Sequence, residues 1–410
     1  MSNLKYWLWL ANRKGLIGQN LRCVLEHFGS PERVYFSDQE EYKMIEGVPE
    51  SALRALSDKS LAEADRILGD CDRLGIRIMT MQDATYPERL AAIHQPPLVL
   101  YYKGRPVAFD EELAIAMVGT RGATPYGVRA ATALAMELTH RGALIVSGMA
   151  QGIDTASLRG ALNAGGAVVS VLAGGLDVVY PKENRYLYED VAAAGTLISE
   201  YPPGTEHRGS QFPVRNRIIS GLSVGVIAVE CGVSSGTLHT VRHALEQDRE
   251  VFAVPGPWDA PESQGTNGLI RDGAAKLITC ADDALCEFAD RFPHRLRREP
   301  MPPEVAEQRL EQAEQHAARP GRAEEKAVDI RPEVEYIDWK DCEERLTDDQ
   351  RAVLLALAEN SLRVDDIVER AQLSARRVLS ALTILQINGY VAEESGKRFR
   401  AAVRLKMEKC

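Results

Sequence analysis

Short runs of consecutive apolar residues recur through the middle of the chain. Once polar flanks are trimmed they are Ala114–Val118, Ala143–Val146, Ala167–Leu172, Thr196–Ile198, Val224–Val229, Val251–Val254 and Leu277–Thr279. Amphipathic stretches lie between them, among them Val128–Thr139, Thr155–Asn163 and Leu238–Gln247, with apolar positions at helical spacing. Runs that are apolar at every position predict strands covered on both faces. Their alternation with helices predicts an α/β fold, a parallel sheet with helices on each side, over residues 76–290. Such sheets bind ligands beyond the carboxyl ends of their strands. Nearly every run ends there in glycine or a small polar turn, so these turns are expected to line one rim.

The flanks have other patterns. Residues 1–75 predict a module of short helices. Leu21–Phe28 has helical apolar spacing and stops at Gly29-Ser30-Pro31. Ile45–Pro49 followed by Ser51–Leu56 predicts helix, glycine turn, helix. That is the outline of a helix-hairpin-helix, whose turn amides can seat a DNA phosphate, and equally of a plain packing module. Residues 291–344 are dense in Arg, Glu, Gln, Ala and Pro and predict a charged linker. Its basic cluster Arg295-Leu296-Arg297-Arg298 fits a DNA tether or a solvated linker, since acids offset the bases. Residues 345–410 predict three helices and a hairpin, a winged helix. Leu346-Thr347-Asp348-Asp349 caps the first helix, which runs through Leu357, and Ser374, Arg376 and Arg377 open the third. Contact with DNA and contact with protein both fit that helix.

Composition narrows the picture. The 410 residues are 45% hydrophobic and 26% charged, ordinary for soluble globular domains, and allow two to four of them. No apolar run reaches the roughly 18 residues of a membrane span, and no convincing cleavable leader opens the chain. Seven scattered cysteines without a CxxC pair favour reduced thiols in the cytoplasm over disulfides or zinc. A net charge of −10 argues against general coating of a polyanion. Any nucleic-acid site must be a local positive groove.

The richest segment is Phe212-Pro213-Val214-Arg215-Asn216-Arg217-Ile218-Ile219-Ser220-Gly221-Leu222-Ser223. Arg215 and Arg217 offer planar forks for phosphate oxygens, Asn216 an amide and Phe212 a face for a base. Arg208 lies just upstream. An Arg pair bridging two helices fits the same residues. Elsewhere on the rim, Gly119-Thr120-Arg121-Gly122 ends the first strand, with glycines admitting an anion and Arg121 supplying a fork. Gly148-Met149-Ala150-Gln151-Gly152 ends the second and suits an anion nest, with Asp154 either fixing an arginine or capping a helix. After Gly174 and Gly175, Tyr180 could stack on a base while Lys182 and Asn184 reach phosphate or base edges, or Pro181 and Asn184 could simply shape a turn. Ser235-Gly236-Thr237 opens a helix whose free amides favour anions. This is not the GxGxxG dinucleotide pattern, and no acidic residue ends the second strand. His239 and His243 have the spacing of a zinc helix, but Thr240 stands where the catalytic Glu of HExxH would be, so no metal and no cofactor is expected.

Together these residues resemble the DNA-processing protein A (DprA or Smf) family. The resemblance runs through Gly119–Arg121, Ser147–Asp154, Gly174–Asp177 with Tyr180-Pro181 and Asn184, Ser199–Pro202, Phe212–Ser223, Ser235–Thr237, Val254–Gly256 and Gly265–Ala274. It implies an extended Rossmann-like domain that binds single-stranded DNA, usually as a homodimer. It further implies protection of incoming DNA and loading of the RecA recombinase in natural transformation, without enzymatic activity. By match, Arg121, Phe212, Arg215, Asn216, Arg217 and the Gly148–Gly152 turn would line the DNA pocket. The family commonly carries Lys shortly before the equivalent Phe, and here Arg208 stands one position off that spacing. Two rival readings remain. Glu230–Thr240 resembles the PGGxGTxxE stretch of nucleotide phosphoribohydrolases, but with Thr240 in place of the catalytic Glu. The winged helix alone could serve a duplex-binding regulator.

Overall fold

The computed structural model describes residues 3–13, 15–16, 18–296, 336–338, 346–357, 361–387, 390–394, 398–401 and 404–406. The chain divides into two compact units, Met1–Arg319 and Pro320–Cys410. Most of the predicted charged linker, including Arg297 and Arg298, lies outside the described residues.

The first unit begins with short helices α1 (Leu4–Ala11), α2 (Gln19–Phe28), α3 (Pro31–Phe36), α4 (Gln39–Tyr42), α5 (Glu50–Ala55) and α6 (Ala62–Leu74). Glycines in the left-handed region end α2 at Gly29 (φ 76°) and α6 at Gly75 (φ 65°). The strands β1 (Arg77–Thr80) and β2 (Val99–Gly104) follow, with α7 (Glu88–Ala91) between them. Then come β3 (Ala114–Val118), α8 (Pro125–His140), β4 (Leu144–Ser147), α9 (Ile153–Asn163), β5 (Val168–Leu172), α10 (Arg185–Ala194) and β6 (Thr196–Ser199). The unit closes with α11 (Gln211–Gly221), β7 (Gly225–Ala228), α12 (Thr237–Glu246), β8 (Glu250–Ala253), α13 (Gln264–Arg271), β9 (Lys276–Leu277) and α14 (Ala281–Leu285).

The strands form one sheet in the order β1-β2-β6-β5-β4-β3-β7-β8-β9. From β3 to β9 every pairing is parallel, as the unbroken apolar runs predict. The extension by β2 and β1 is antiparallel, and apolar-run counting misses it. Its physical reason is visible in the residues: Arg77, Tyr102 and Lys103 leave these strands partly exposed, so they never read as buried runs. The chain winds one way from β3 through β6 and the other way from β7 through β9. The direction switches between β3 and β7, where a crevice opens at the carboxyl ends.

Alternating side chains divide between two cores. Ile115 and Met117 face a core that includes Leu134, Leu138 and Leu158, from α8 and α9. Ala114, Ala116 and Val118 face the other, which holds Ile218, Ile219 and Val241, from α11 and α12. The first core also contains Leu8, Trp9, Leu10, Val24 and Ile67, so the N-terminal helices and the sheet share buried surface. Trp9 Nε1 donates to Asp58 O at 2.8 Å, and the Lys59 ammonium lies 5.3 Å from the Trp9 ring.

In the second unit, α15 (Asp348–Ala356), α16 (Val364–Ala371) and α17 (Ala375–Ile387) pack around Leu354, Ile367, Leu382 and Leu385. The reciprocal capping box of Thr347 and Gln350 starts α15. The strands β10 (Leu362–Arg363), β11 (Val391–Glu394) and β12 (Arg398–Ala401) form the order β10-β12-β11. These are the three helices and hairpin of a winged helix. The hairpin tip, 395–397, lies outside the described residues.

The shared core makes a specific expectation. Trp9 is 1% exposed, so Trp9→Ala should cost about 3–5 kcal/mol, a large aromatic truncated in a core. Urea unfolding followed by circular dichroism should show the whole first unit shifting as one transition. Loss of the N-terminal helices ahead of an unshifted sheet transition would contradict a shared core.

Candidate functional site

The turn after β3 is held by a carboxylate on the neighbouring strand connection. Glu230, which follows β7 and is 2% exposed, accepts hydrogen bonds from Thr124 N at 2.8 Å and Thr124 Oγ1 at 2.6 Å. Its backbone carbonyl accepts from Thr120 N at 2.7 Å. The anion also lies at the N-terminus of α8, where free amides and the helix dipole favour it. The close fit requires glycine at Gly119, where a Cβ would fall 2.4 Å from Ile153 Cγ1. Gly152, at φ +79°, likewise could not carry a Cβ, which would meet Thr120 O at 2.3 Å.

A second anchor comes from α11. The sequence places the arginine-rich run among the rim turns, and the structure winds it into this helix, with Pro213 tolerated in the first turn. Arg215 is 4% exposed. Its Nη1 donates to Gly148 O at 2.8 Å and to Val171 O, and its Nε donates to Asn216 Oδ1 at 3.2 Å. It ties α11 to the carboxyl ends of β4 and β5. Burial lowers its pKa to about 10, opposed by the charge of Asp154, so it stays a cation at neutral pH. Asp154 accepts from Gly148 N at 3.1 Å and Ala150 N at 3.3 Å. Burial pushes its carboxyl above the usual range, while Arg215 and these amides pull it back. A Cβ on Gly148 would lie 2.6 Å from Arg215 Nη2, so glycine leaves room for the guanidinium.

Above this buried pair lies an exposed face. The Arg121 guanidinium carbon is 4.6 Å from the Phe212 ring centroid, and Arg215 is 5.9 Å from it on its own account. The Tyr180 and His207 rings stack at 5.1 Å and 24°, and His207 meets Phe212 at 6.2 Å and 27°. His207 Nε2 lies 3.0 Å from Val178 O. Burial lowers the His207 pKa below the usual 6.5, and the ring is neutral at pH 7. Val178 O raises it in part, and Arg215 lowers it further. A Cβ on Gly174 would come 2.9 Å from this ring.

These elements enclose an open cleft of about 220 Å³ at the switch between β3 and β7. Of the residues singled out by sequence, Gly119, Arg121, Ala150, Asp154, Phe212, Arg215, Asn216, Ser235, Gly236, Thr237 and His239 line it. Ser235 Oγ accepts from Thr237 N at 3.2 Å and shapes the start of α12. The others stand elsewhere. Thr120, Gly148 and Gly152 form the frame beneath, and Met149, at φ 62°, is buried. Asn184 is 4% exposed and braces that frame by donating to Met149 O and Thr155 Oγ1. Gly174 and Gly175 pack under the loop of His207. Lys182 and Arg208 are exposed outside the cleft lining. Arg217 is 9% exposed and engaged with Glu200 at 2.7 Å and Gln95 O at 2.8 Å, so it ties α11 to two loops and not to a second helix. Sequence reasoning missed His207 and the clamp formed by Glu230. Nothing in their local spacing marks either, because both act on residues distant in the chain.

A family model described as DNA recombination-mediator protein A matches residues 77–289, and one described as the DprA winged helix domain matches residues 341–397. The chain is 40% identical to the DNA processing protein DprA of Bacillus subtilis over 241 residues, 59% of this chain and 81% of that protein. It is 30% identical to the Smf protein of Synechocystis over 406 residues, 97% of this chain and 99% of that one. The X-ray structure of DNA processing protein A from Streptococcus pneumoniae matches with a TM-score of 0.61 and 32% identity, over 69% of this chain and 97% of that one.

Two measurements check this geometry. Glu230→Ala should destabilise the first unit by about 1–2 kcal/mol in urea, since it leaves the half-buried Thr124 donors unsatisfied, and should speed amide exchange in residues 119–124. Unchanged exchange there would show that Glu230 does not hold the turn. In an NMR titration the His207 imidazole should protonate below pH 6.5. A folded pKa below the unfolded one means stability is lost as pH falls from 6.5 through the folded value.

Proposed function

The chain belongs to the DNA recombination-mediator protein A family, and from that premise we propose that the cleft binds single-stranded DNA. The same reading makes the protein a cytoplasmic homodimer that shields incoming strands and loads RecA onto them during natural transformation. The observation that carries it is Arg121 lying over Phe212 at 4.6 Å, at the mouth of a cleft on the sheet's switch point. A single strand exposes base faces that stack on rings and on the flat guanidinium, while its phosphates take N–H donors. A duplex buries those faces. A net charge of −10 argues against attraction spread over the whole surface and favours a local patch.

Binding rather than hydrolysis fits the lining. Among the described residues, the carboxylate lining the cleft is Asp154, already bound to two backbone amides, and Thr240 occupies the position a phosphoribohydrolase gives to its acid. The open cleft is also smaller than the roughly 300–1,000 Å³ usual for enclosed small-molecule sites, which suits a polymer crossing it. Duplex reading by the winged helix has less support, because Arg377 at the start of α17 is paired with Asp349 at 2.8 Å. No described helix is long and apolar enough to cross a membrane.

Fluorescence anisotropy of labelled oligo-dT, with duplex controls and a salt series, tests the reading. Tight single-strand binding with duplex bound poorly is expected. Arg121→Ala should weaken it roughly tenfold and reduce the salt slope by about 1. Equal or better duplex binding, indifferent to Arg121, would overturn it in favour of the winged helix. Binding of neither would return attention to nucleotide chemistry.

A further inference from the structure

The loop after β8 carries an indole with 87% of its surface exposed, Trp258. Tryptophan is more often largely buried, and here the stem of the loop is tightly fixed. The Asn267 side chain spans Gly256, donating to its carbonyl at 3.1 Å and accepting from its amide at 3.1 Å. A Cβ on Gly256 would collide with Ser263 Oγ at 2.0 Å, so the stem packs with no space to spare. The Tyr126 hydroxyl donates to Pro255 O at 2.5 Å. Tyr126 lies in the first turn of α8, directly after the turn that carries Arg121. A turn from Pro257 to Ala260, closed by a 3.2 Å hydrogen bond, then presents Trp258. An exposed aromatic is thus held on a braced support, which lowers the entropy cost of using it in a contact.

The location completes the argument. β8 is the strand next to β7, so the Trp258 loop leaves the same carboxyl rim as the cleft, on the side away from Tyr180 and Phe212. From β3 to β8 is two interstrand spacings, roughly 10 Å. A nucleic-acid strand covers that span in about three nucleotides even at the ~3.4 Å rise of a duplex strand. Resting on the single-strand reading above, we infer that Trp258 is a second stacking platform, which receives a base after the strand leaves the cleft past Thr237. Asp259, exposed, adjoins it and Glu262, half-buried, follows, so the contact is made through the ring face and not by pairing with phosphate.

The test uses the full chain with oligo-dT of roughly 2 nucleotides, too short to span the roughly 10 Å from β3 to β8, and of roughly 16, the upper end of common single-strand site sizes. Trp258→Ala should weaken the longer oligonucleotide roughly tenfold, leave the shorter one unchanged and keep the salt slope of the wild type. Trp258→Tyr should recover most of the loss. The longer oligonucleotide should quench tryptophan emission in the wild type and less so in Trp258→Ala. Wild-type affinity of Trp258→Ala for both lengths would overturn the inference. So would equal weakening for both lengths, a changed salt slope, or an altered sedimentation coefficient with DNA binding intact, which would assign the indole to a protein contact. Arg121→Ala, run alongside, separates the cases. If it weakens binding while Trp258→Ala does not, only the second platform fails; if neither matters, the cleft itself is not the DNA site.

Discussion

A buried guanidinium fixes the floor of the cleft, on which the face above it depends. Arg215 reaches from α11 to Gly148 O and Val171 O, joining one helix to the ends of two strands. Taking an arginine and an aspartate out of water is costly, and the balance closes only if their hydrogen bonds are filled. Here carbonyls fill the arginine's and amides the carboxylate's. Removing one partner would strand the other charge, so the pair behaves as one unit. Phe212, one turn earlier on the same helix, takes its place from that anchorage. The arginine that faces solvent is a different one, Arg121, and it is fixed by Glu230 through the turn after β3. One cation builds the floor and another is left free to meet a ligand.

Much of this was legible in the sequence because strand burial writes itself as uninterrupted apolar runs. Ala114–Val118 and Val251–Val254 read directly as covered strands, and the glycine turns after them mark the rim. The antiparallel pair β1 and β2 was not legible, since its half-exposed positions break the apolar signal. Within the site, residue type located Arg121 and Phe212 but could not apportion tasks among the arginines. Arg215 and Arg217 stand two apart on one helix and therefore point to different surroundings, one under the cleft and one toward Glu200. His207 and Glu230 stayed hidden for another reason. Their work lies in contacts with Val178 and Thr124, far away along the chain, and no local pattern encodes such pairs.

The overall acidity of the chain and the basic character of the cleft mouth are complementary. A body carrying net negative charge repels a polyanion at long range, within about a Debye length of 8–10 Å. At the cleft mouth the exposed Arg121 guanidinium supplies local positive charge. Aromatic faces add a term that salt does not screen. On the single-strand reading proposed above, the combination would favour a strand whose bases are already unstacked and give little hold to anything that offers phosphates alone.

The common core of the N-terminal helices and the sheet has a consequence for how the chain is made. Leu8, Trp9 and Leu10 are synthesised before α3, α6 and β2, the elements that pack against their helix. During translation this apolar cluster must wait, uncovered, for partners that emerge later. The charged and amide residues close by, Lys5, Asn12 and Arg13, keep a hydrated edge beside it meanwhile. Chaperone demand on the ribosome should therefore be set by the opening helices, and the sheet would relieve it on completion.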